Sequence, residues 1–327
     1  MAFNQVLKQK ILFLKLSVSI VILAILFSLS DTSKMLNALV NINVWIIFIA
    51  VLLCFLQMVL AGFRWYILGV GTGDFLNILT AIKINFAAMF CNQVLPTSIG
   101  GDVVRVTLAG REGLTIGRAI RTVLLDRVTG LVSLIVLIAV TFIAVESYLP
   151  KEWPVQTIKI SPILILIVVF ILFYNGKMLA PLIQKVAYLE WFGTFLREGS
   201  VLIREGKTIY YTILISIIIH SIGALCVWTL ANDLGLEISY MSVLGFLPFI
   251  SLAQLIPISI AGWGVREGVV VTLFAWMGMD ASIALLVSII WGVSIAISAV
   301  LCGFVWVGMR SADESLKSIK TNEFYNL

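Results

Sequence analysis

Charge is what this sequence has least of. Only 12% of its 327 residues are Asp, Glu, Lys or Arg, where soluble domains carry about 25%. There is one histidine, His220, and the four cysteines (Cys54, Cys91, Cys226 and Cys302) show no CxxC spacing. Neither a zinc site nor a disulfide framework is indicated, so the thiols are expected free and buried. No residue pattern calls for a metal or any other cofactor. A chain this poor in charge cannot clothe a soluble enzyme. A secreted disulfide scaffold, a disordered chain and a free nucleic-acid binder are excluded with it.

What fills the sequence instead is hydrocarbon. Hydrophobic residues make up 61%, and mean hydropathy is +1.10. That composition leaves a polytopic membrane protein. The net charge of +5 fits cytoplasmic loops enriched in Lys and Arg, with an acidic partner as the alternative. Lys8, Lys10 and Lys15 ahead of an apolar stretch imitate a signal peptide. Only Ser28-Leu29-Ser30-Asp31 follows, without a small-residue cleavage site, so an uncleaved first helix is expected.

A bilayer core needs about 20 apolar residues in a helix. Such runs fall near 11–29, 44–62, 122–145, 160–176, 208–231 and 282–308. Stretches near 76–99 and 241–279 are interrupted by Pro, Gly and polar residues and make poor continuous helices. The basic residues place the N-terminus, the flanks of 76–99 (Arg64 on one side; Arg105, Arg111, Arg118 and Arg121 on the other), the 177–207 loop and the C-terminus in the cytoplasm. Asp233 and Glu237 fall on the far side. Residues 180–205 have apolar side chains at helical spacing between charges, and are expected to form an amphipathic helix along the cytoplasmic interface.

The two interrupted stretches resemble each other. Gln93-Val94-Leu95-Pro96-Thr97-Ser98-Ile99-Gly100-Gly101-Asp102-Val103-Val104-Arg105 aligns with Gln254-Leu255-Ile256-Pro257-Ile258-Ser259-Ile260-Ala261-Gly262-Trp263-Gly264-Val265-Arg266 at a constant offset of 161 residues. Gln, Pro, Ser, Ile, Gly, Val and Arg coincide, which points to internal duplication. Three spans separate the motifs, so motifs that enter and leave on one side would lie on opposite faces. The repeats are then inverted, as in many transporters with broken helices.

A Pro and small-residue break frees backbone groups that must be buried in protein or face a wet cavity. A half-helix starting after Gly100-Gly101 would aim its positive end at an anion, with Arg105 about one turn in, and the same geometry recurs after Gly262 with Arg266. Pro96 and Pro257 mark the breaks. The plainer alternative is a pair of structural kinks whose arginines snorkel to an interface. Thr122, Asp126, Thr129 and Ser133 share one helix face, making Asp126 either an ion-pair partner or a proton or head-group site. Glu267 could pair with Arg266, with another arginine or with a cationic head group. His220 reads as a packing histidine more readily than a relay. Ala284, Ser288, Gly292 and Ala296 form a smooth ridge suited to helix packing.

Three ordered motifs, L-P-x-S-I-G-G-D-x-x-R, L-L-D-R-x-T-G-L and P-I-S-I-A-G-x-G-x-R-E-G, resemble the lysylphosphatidylglycerol synthase transmembrane-region family, also described as carrying a flippase-like domain. The resemblance covers nearly the whole chain and directs attention to Pro96, Gly100, Gly101, Asp102, Arg105, Asp126, Arg127, Gly262, Arg266 and Glu267. It implies lipid translocation or handling. Some relatives add a soluble aminoacyltransferase domain, for which the residues after the last span leave no room, so lysyl transfer is not expected. Other relatives, linked to polyprenyl-phosphate sugars and hopanoids, leave the cargo open.

The sequence therefore predicts an all-α polytopic protein of the inner membrane, one domain over 1–327, with about six full spans and two re-entrant hairpins near 76–110 and 241–279. The expected activity is translocation between leaflets of an anionic or zwitterionic lipid, of the aminoacyl-phospholipid or polyprenyl-phosphate-linked type. An integral-membrane transferase acting on a lipid phosphate and a non-transporting subunit that presents lipid to a separate enzyme are the alternatives. A homo-oligomer is compatible with everything above.

Overall fold

The computed structural model describes the backbone of residues 2–73, 76–94, 100–185 and 189–325, and side chains there at residue 10 and over 12–309. In chain order the helices are α1 (Ala2–Ser28), α2 (Thr32–Asn41), α3 (Val44–Gly71), α4 (Ile78–Val94), α5 (Gly100–Arg111) and α6 (Ile116–Thr141). Then follow α7 (Val155–Tyr174), α8 (Gly176–Ile183), α9 (Glu190–Glu205), α10 (Lys207–Asp233), α11 (Tyr240–Gln254), α12 (Val265–Trp276) and α13 (Ala281–Tyr325). This is an all-α polytopic membrane protein. Helices α3, α6, α7, α10 and α13 are each long and apolar enough to cross a bilayer, and α1 with α2 makes a sixth if the pair counts as one span bent by 91°.

The interrupted stretches fold as expected, into short helices on either side of a break. Helices α4 and α11 have 17 and 15 residues, short of the roughly 20 that a span needs. Their second halves, α5 and α12, have 12 each. Pro96 and its neighbours at 95–99 lie outside the described residues. Pro257 sits exposed in the second break, two residues past the last turn that starts at Leu255.

Helix pairing follows one scheme twice. In the first half α3 packs on α4, α4 on α5, α5 on α6, and α6 back on α3. In the second, α10 packs on α11, α11 on α12, α12 on α13, and α13 back on α10. Between halves, α4 lies on α13 as α11 lies on α6, and α3 on α13 as α10 on α6. Helices α3 and α10 pack on each other, with Cys54 and Cys226 meeting as free thiols 3.9 Å apart. Exchanging the halves leaves the scheme unchanged. The remaining helices are peripheral: α1 rests on α12, α2 on α13, and α7 on α6 and α9. Along α7 only Pro162 and Phe173 are buried, so its Ile, Leu and Val side chains form a lipid-facing wall.

Three local expectations change. Residues 30–43, which fall between the first two apolar runs, contain α2. Its Asp31 side chain caps the helix by accepting from the Lys34 backbone N–H at 3.0 Å, and Met35 is its buried anchor. The 180–205 segment is not one interfacial helix but the end of α8 and all of α9, folded back on each other. Gly176 and Ala180, one turn apart, let the backbones approach: a Cβ on Gly193 would stand 3.0 Å from the Ala180 carbonyl, and one on Gly176 would collide with that of Leu196. The apolar face of α9 (Phe195, Leu196, Leu202) is consequently buried against Leu68, Leu125 and Phe173. Finally, α3 continues to Gly71, so Arg64 is not in a loop after a span. It lies inside the helix, about 10 Å short of the end.

A polar link ties α2 to the turn before α13, where Lys34 Nζ donates to Asp280 at 2.6 Å. That hydrogen bond holds the Asp280 carboxyl below the usual carboxylate range. A lowered native pKa means that the pair's stabilisation is present above the ordinary Asp range and lost as pH falls through the native value. Both groups are part-exposed, so the link is worth no more than about 1 kcal/mol. Asp280→Asn is therefore expected to lower the thermal midpoint slightly at neutral pH. The difference from wild type should close as pH falls from about 5 towards 2, which thermal unfolding across that range would measure.

Candidate functional site

Two buried arginines, one at each broken helix, organise the interior. Arg105 projects from α5 and is 4% exposed, and Asp126, 2% exposed, faces it from α6. Asp126 lies about 15 Å along α6 from its first residue, inside a helix long and apolar enough to cross a bilayer. There it accepts from two cations: Arg105 Nη1 donates to Oδ2 at 2.9 Å, and Arg64 Nε to Oδ1 at 2.8 Å. Arg64 also donates through Nη1 to Ser216 Oγ of α10 at 2.9 Å. The Arg105 guanidinium lies over the Trp65 ring, 4.3 Å from its centroid, a contact that strengthens where water is excluded. Asp102, 3.9 Å from Arg105, accepts from Arg127 at 3.0 Å. With Arg127 40% exposed, that pair forms the mouth of the cluster.

The short second halves are positioned by small residues. Gly100 and Gly101 are buried at the start of α5. Gly101 N–H donates to Asn92 Oδ1 of α4 at 2.8 Å, and a side chain at 101 would strike that carboxamide. In the second break Gly262 and Gly264 adopt φ of +82° and +88°, where L side chains are strained. Gly264 also packs against Ser19 and Ile22 of α1, and Ile260 N–H donates to Ser19 Oγ at 3.3 Å. Helix α1 thereby covers the second break.

At that break Arg266 is 2% exposed and Glu267 fully buried. Glu267 Oε1 accepts from Arg266 Nε at 2.9 Å and Nη2 at 2.5 Å, and from Ser288 Oγ at 3.3 Å. Its Oε2 accepts from the Gly264 backbone N–H at 2.6 Å, a donor left over at the start of α12. The Arg266 guanidinium stands 4.6 Å from the Trp263 ring centroid and 5.7 Å from that of Trp291. Gly292 makes room for it, since a Cβ there would fall on the guanidinium.

The structure thus gathers the sequence candidates into two groups. Gly100, Gly101, Asp102, Arg105, Asp126 and Arg127 form the first, and Gly262, Arg266 and Glu267 the second. Sequence reasoning missed Arg64, Trp65, Ser216, Trp263 and Trp291 as members. It took the Ser288–Gly292 ridge for helix packing, whereas that ridge is a wall of the second group. His220 lies one turn beyond Ser216 on α10, and its Nε2 has no hydrogen-bond partner. Beside the first group, α6, α7, α9 and α10 line a half-open hollow of about 370 Å³ with apolar side chains such as Leu125, Val128, Phe170 and Ile213. Its one hydroxyl, that of Thr129, is turned to the Asp126 carbonyl. A hollow so lined is dry and suits hydrocarbon.

Among the described residues no group of three or more His, Cys, Asp or Glu is placed to hold a metal ion. Both clusters build a buried guanidinium fork suited to oxyanions; in the second, Glu267 already occupies it.

A family model described as lysylphosphatidylglycerol synthase TM region matches residues 12–303. A UPF0104 membrane protein of Archaeoglobus fulgidus is 27% identical over 111 residues. That match covers 34% of this chain and 34% of the archaeal protein, so the chain spans about a third of this relative's length.

Proposed function

The chain belongs to the lysylphosphatidylglycerol synthase transmembrane-region family, and from that premise we propose that it moves an anionic or zwitterionic lipid between the leaflets of the inner membrane. The observation that carries this reading is the matched pair of broken helices, each with a buried arginine that meets a buried carboxylate and lies over a tryptophan ring. Charges buried in protein are costly even when paired, so two such sites in one chain argue for use. The helix pairing that survives exchange of halves supports an inverted repeat, with α4–α5 and α11–α12 as re-entrant hairpins open to opposite leaflets in one membrane domain. Both termini then face the cytoplasm. The lipid is the partner, the protein is a carrier and not an enzyme, and alternating access runs between the two arginines.

Purified protein in vesicles, with a fluorescent phospholipid scored separately in each leaflet, tests this. Arg105→Glu should mainly impair loading from the cytoplasmic leaflet and Arg266→Glu loading from the outer one, with Arg→Lys retaining part of the rate because it lacks the planar fork. Wild-type rates in both charge-reversed variants would remove the arginines from the mechanism. A change in lipid mass would indicate a transferase, and no movement at all a subunit that presents lipid to another enzyme.

A further inference from the structure

The two arginines differ in one respect. Every hydrogen bond that Arg266 makes to Glu267 comes from the Nε–Nη2 edge of its guanidinium. On Arg105 that same edge is empty: Nε and Nη2 are both buried and donate to nothing, while Nη1 alone reaches Asp126. The repeat alignment explains the difference, because position 106, equivalent to Glu267 at the offset of 161, is Val106. The first cluster is one acceptor short. It is also one negative charge short, since three guanidiniums (Arg64, Arg105 and Arg127) face two carboxylates (Asp102 and Asp126). The second cluster is neutral and closed, one guanidinium to one carboxylate.

Buried cationic donors left without an acceptor are costly, and such gaps mark places where a partner is missing. The second cluster shows what completes an arginine in this protein: a singly charged oxyanion on the Nε–Nη2 edge. We propose that the first cluster binds one phosphodiester monoanion, the head-group phosphate of a lipid without an ammonium group, on the free edge of Arg105. One such group brings the cluster to neutrality and supplies oxygens for both donors, in the side-on geometry that guanidinium and phosphate share. A head group that also carries an ammonium would need a further carboxylate, and both carboxylates present are already engaged by arginine. The entry is at Asp102 and Arg127, where the cluster is exposed. The assignment rests on the lipid-handling reading and narrows its cargo to net-anionic lipids.

The variant Val106→Glu tests it by giving the first cluster the carboxylate that closes the second. The full-length protein in nanodiscs of equal phosphatidylglycerol and phosphatidylethanolamine would be released and weighed by native mass spectrometry. Wild type should retain one phosphatidylglycerol in preference to phosphatidylethanolamine, and Val106→Glu should lose that preference about tenfold or more at an unchanged or raised thermal midpoint. If Val106→Glu fails to fold, Arg105→Lys serves instead and should lose a smaller part of the same preference. Equal retention of both lipids by wild type, or full phosphatidylglycerol retention in a folded Val106→Glu protein, overturns the site. Soluble glycerophosphoglycerol and inorganic phosphate form the control arm. Binding of either, abolished by Val106→Glu, with no lipid retained, would keep the anion site and overturn the lipid-translocation reading. Leaflet transport with no anion preference would do the reverse.

Discussion

Asp126→Asn is expected to be the most damaging conservative substitution in the first half of the protein. The side chain keeps its shape and loses the charge that holds Arg64 and Arg105 together 2.8 and 2.9 Å away. Two buried guanidiniums would then share one amide, and removing one partner from a buried ion pair costs about 3–5 kcal/mol. Net stabilities are only about 5–15 kcal/mol, so the variant should melt far below wild type or aggregate on purification. Asp126→Glu, which restores charge at the wrong reach, should fall between. Arg127→Gln, at the exposed mouth, should cost about 1 kcal/mol or less. Thermal unfolding of the three purified variants would rank them, and an Asp126→Asn protein as stable as wild type would show that the carboxylate is not what holds the arginines.

In the second half the largest effect is expected from a single methyl group. Gly292→Ala places a Cβ on the Arg266 guanidinium, which must swing away from Glu267 and leave that carboxylate unpaired in a fully buried position. A loss of about 3 kcal/mol or more follows from the broken pair, and transport should fall with it. Gly268→Ala, on α12 where the added Cβ meets nothing within 4 Å, should be neutral or mildly stabilising through helix propensity. Combining Gly292→Ala with Arg266→Met and Glu267→Gln should recover stability, because no buried charge is left without a partner, but not transport. Recovery of both would mean that the second cluster only holds the fold. Gly292→Ala with wild-type stability would mean that the guanidinium has another place to lie.

The spans were legible because an apolar run long enough to cross a bilayer has few other readings, and the breaks because Pro interrupts a helix and neighbouring glycines weaken it. Other features depended on partners that sequence does not name. Arg64 stands just after an apolar run and reads as a loop charge; only Asp126, 62 residues later, shows why the helix carries it inward. The ridge at Ser288 and Gly292 has the spacing of helix packing, and nothing local says that a guanidinium fills the groove. Trp65, Trp263 and Trp291 look like ordinary apolar residues until an arginine is laid on their rings. Residues 180–205 keep a continuous helical spacing of apolar side chains, and only the close approach of Gly176 and Ala180 to α9 shows that two helices pack on each other there. The duplicated motifs were visible, but the substitution of Glu267 for Val106 gained meaning only when both arginine edges could be compared.

The seating of α1 on the second break has a bearing on biogenesis. Ser19 and its partner Ile260 are 241 residues apart, and α2 is tied to the turn before α13 through Asp31–Ser282 and Lys34–Asp280. A chain inserted from its N-terminus delivers α1 and α2 first and their partners almost last. For most of synthesis these two helices have hydrocarbon where α12 and α13 will stand, and Ser19 has no Ile260 to bond. Contacts this distant in sequence are slow to close, so docking of α1 is a late step that follows assembly of the first half. A ribosome stalled beyond α10 would hold a folded Arg105 cluster beside an undocked leading helix, the species that a membrane quality-control protease would meet.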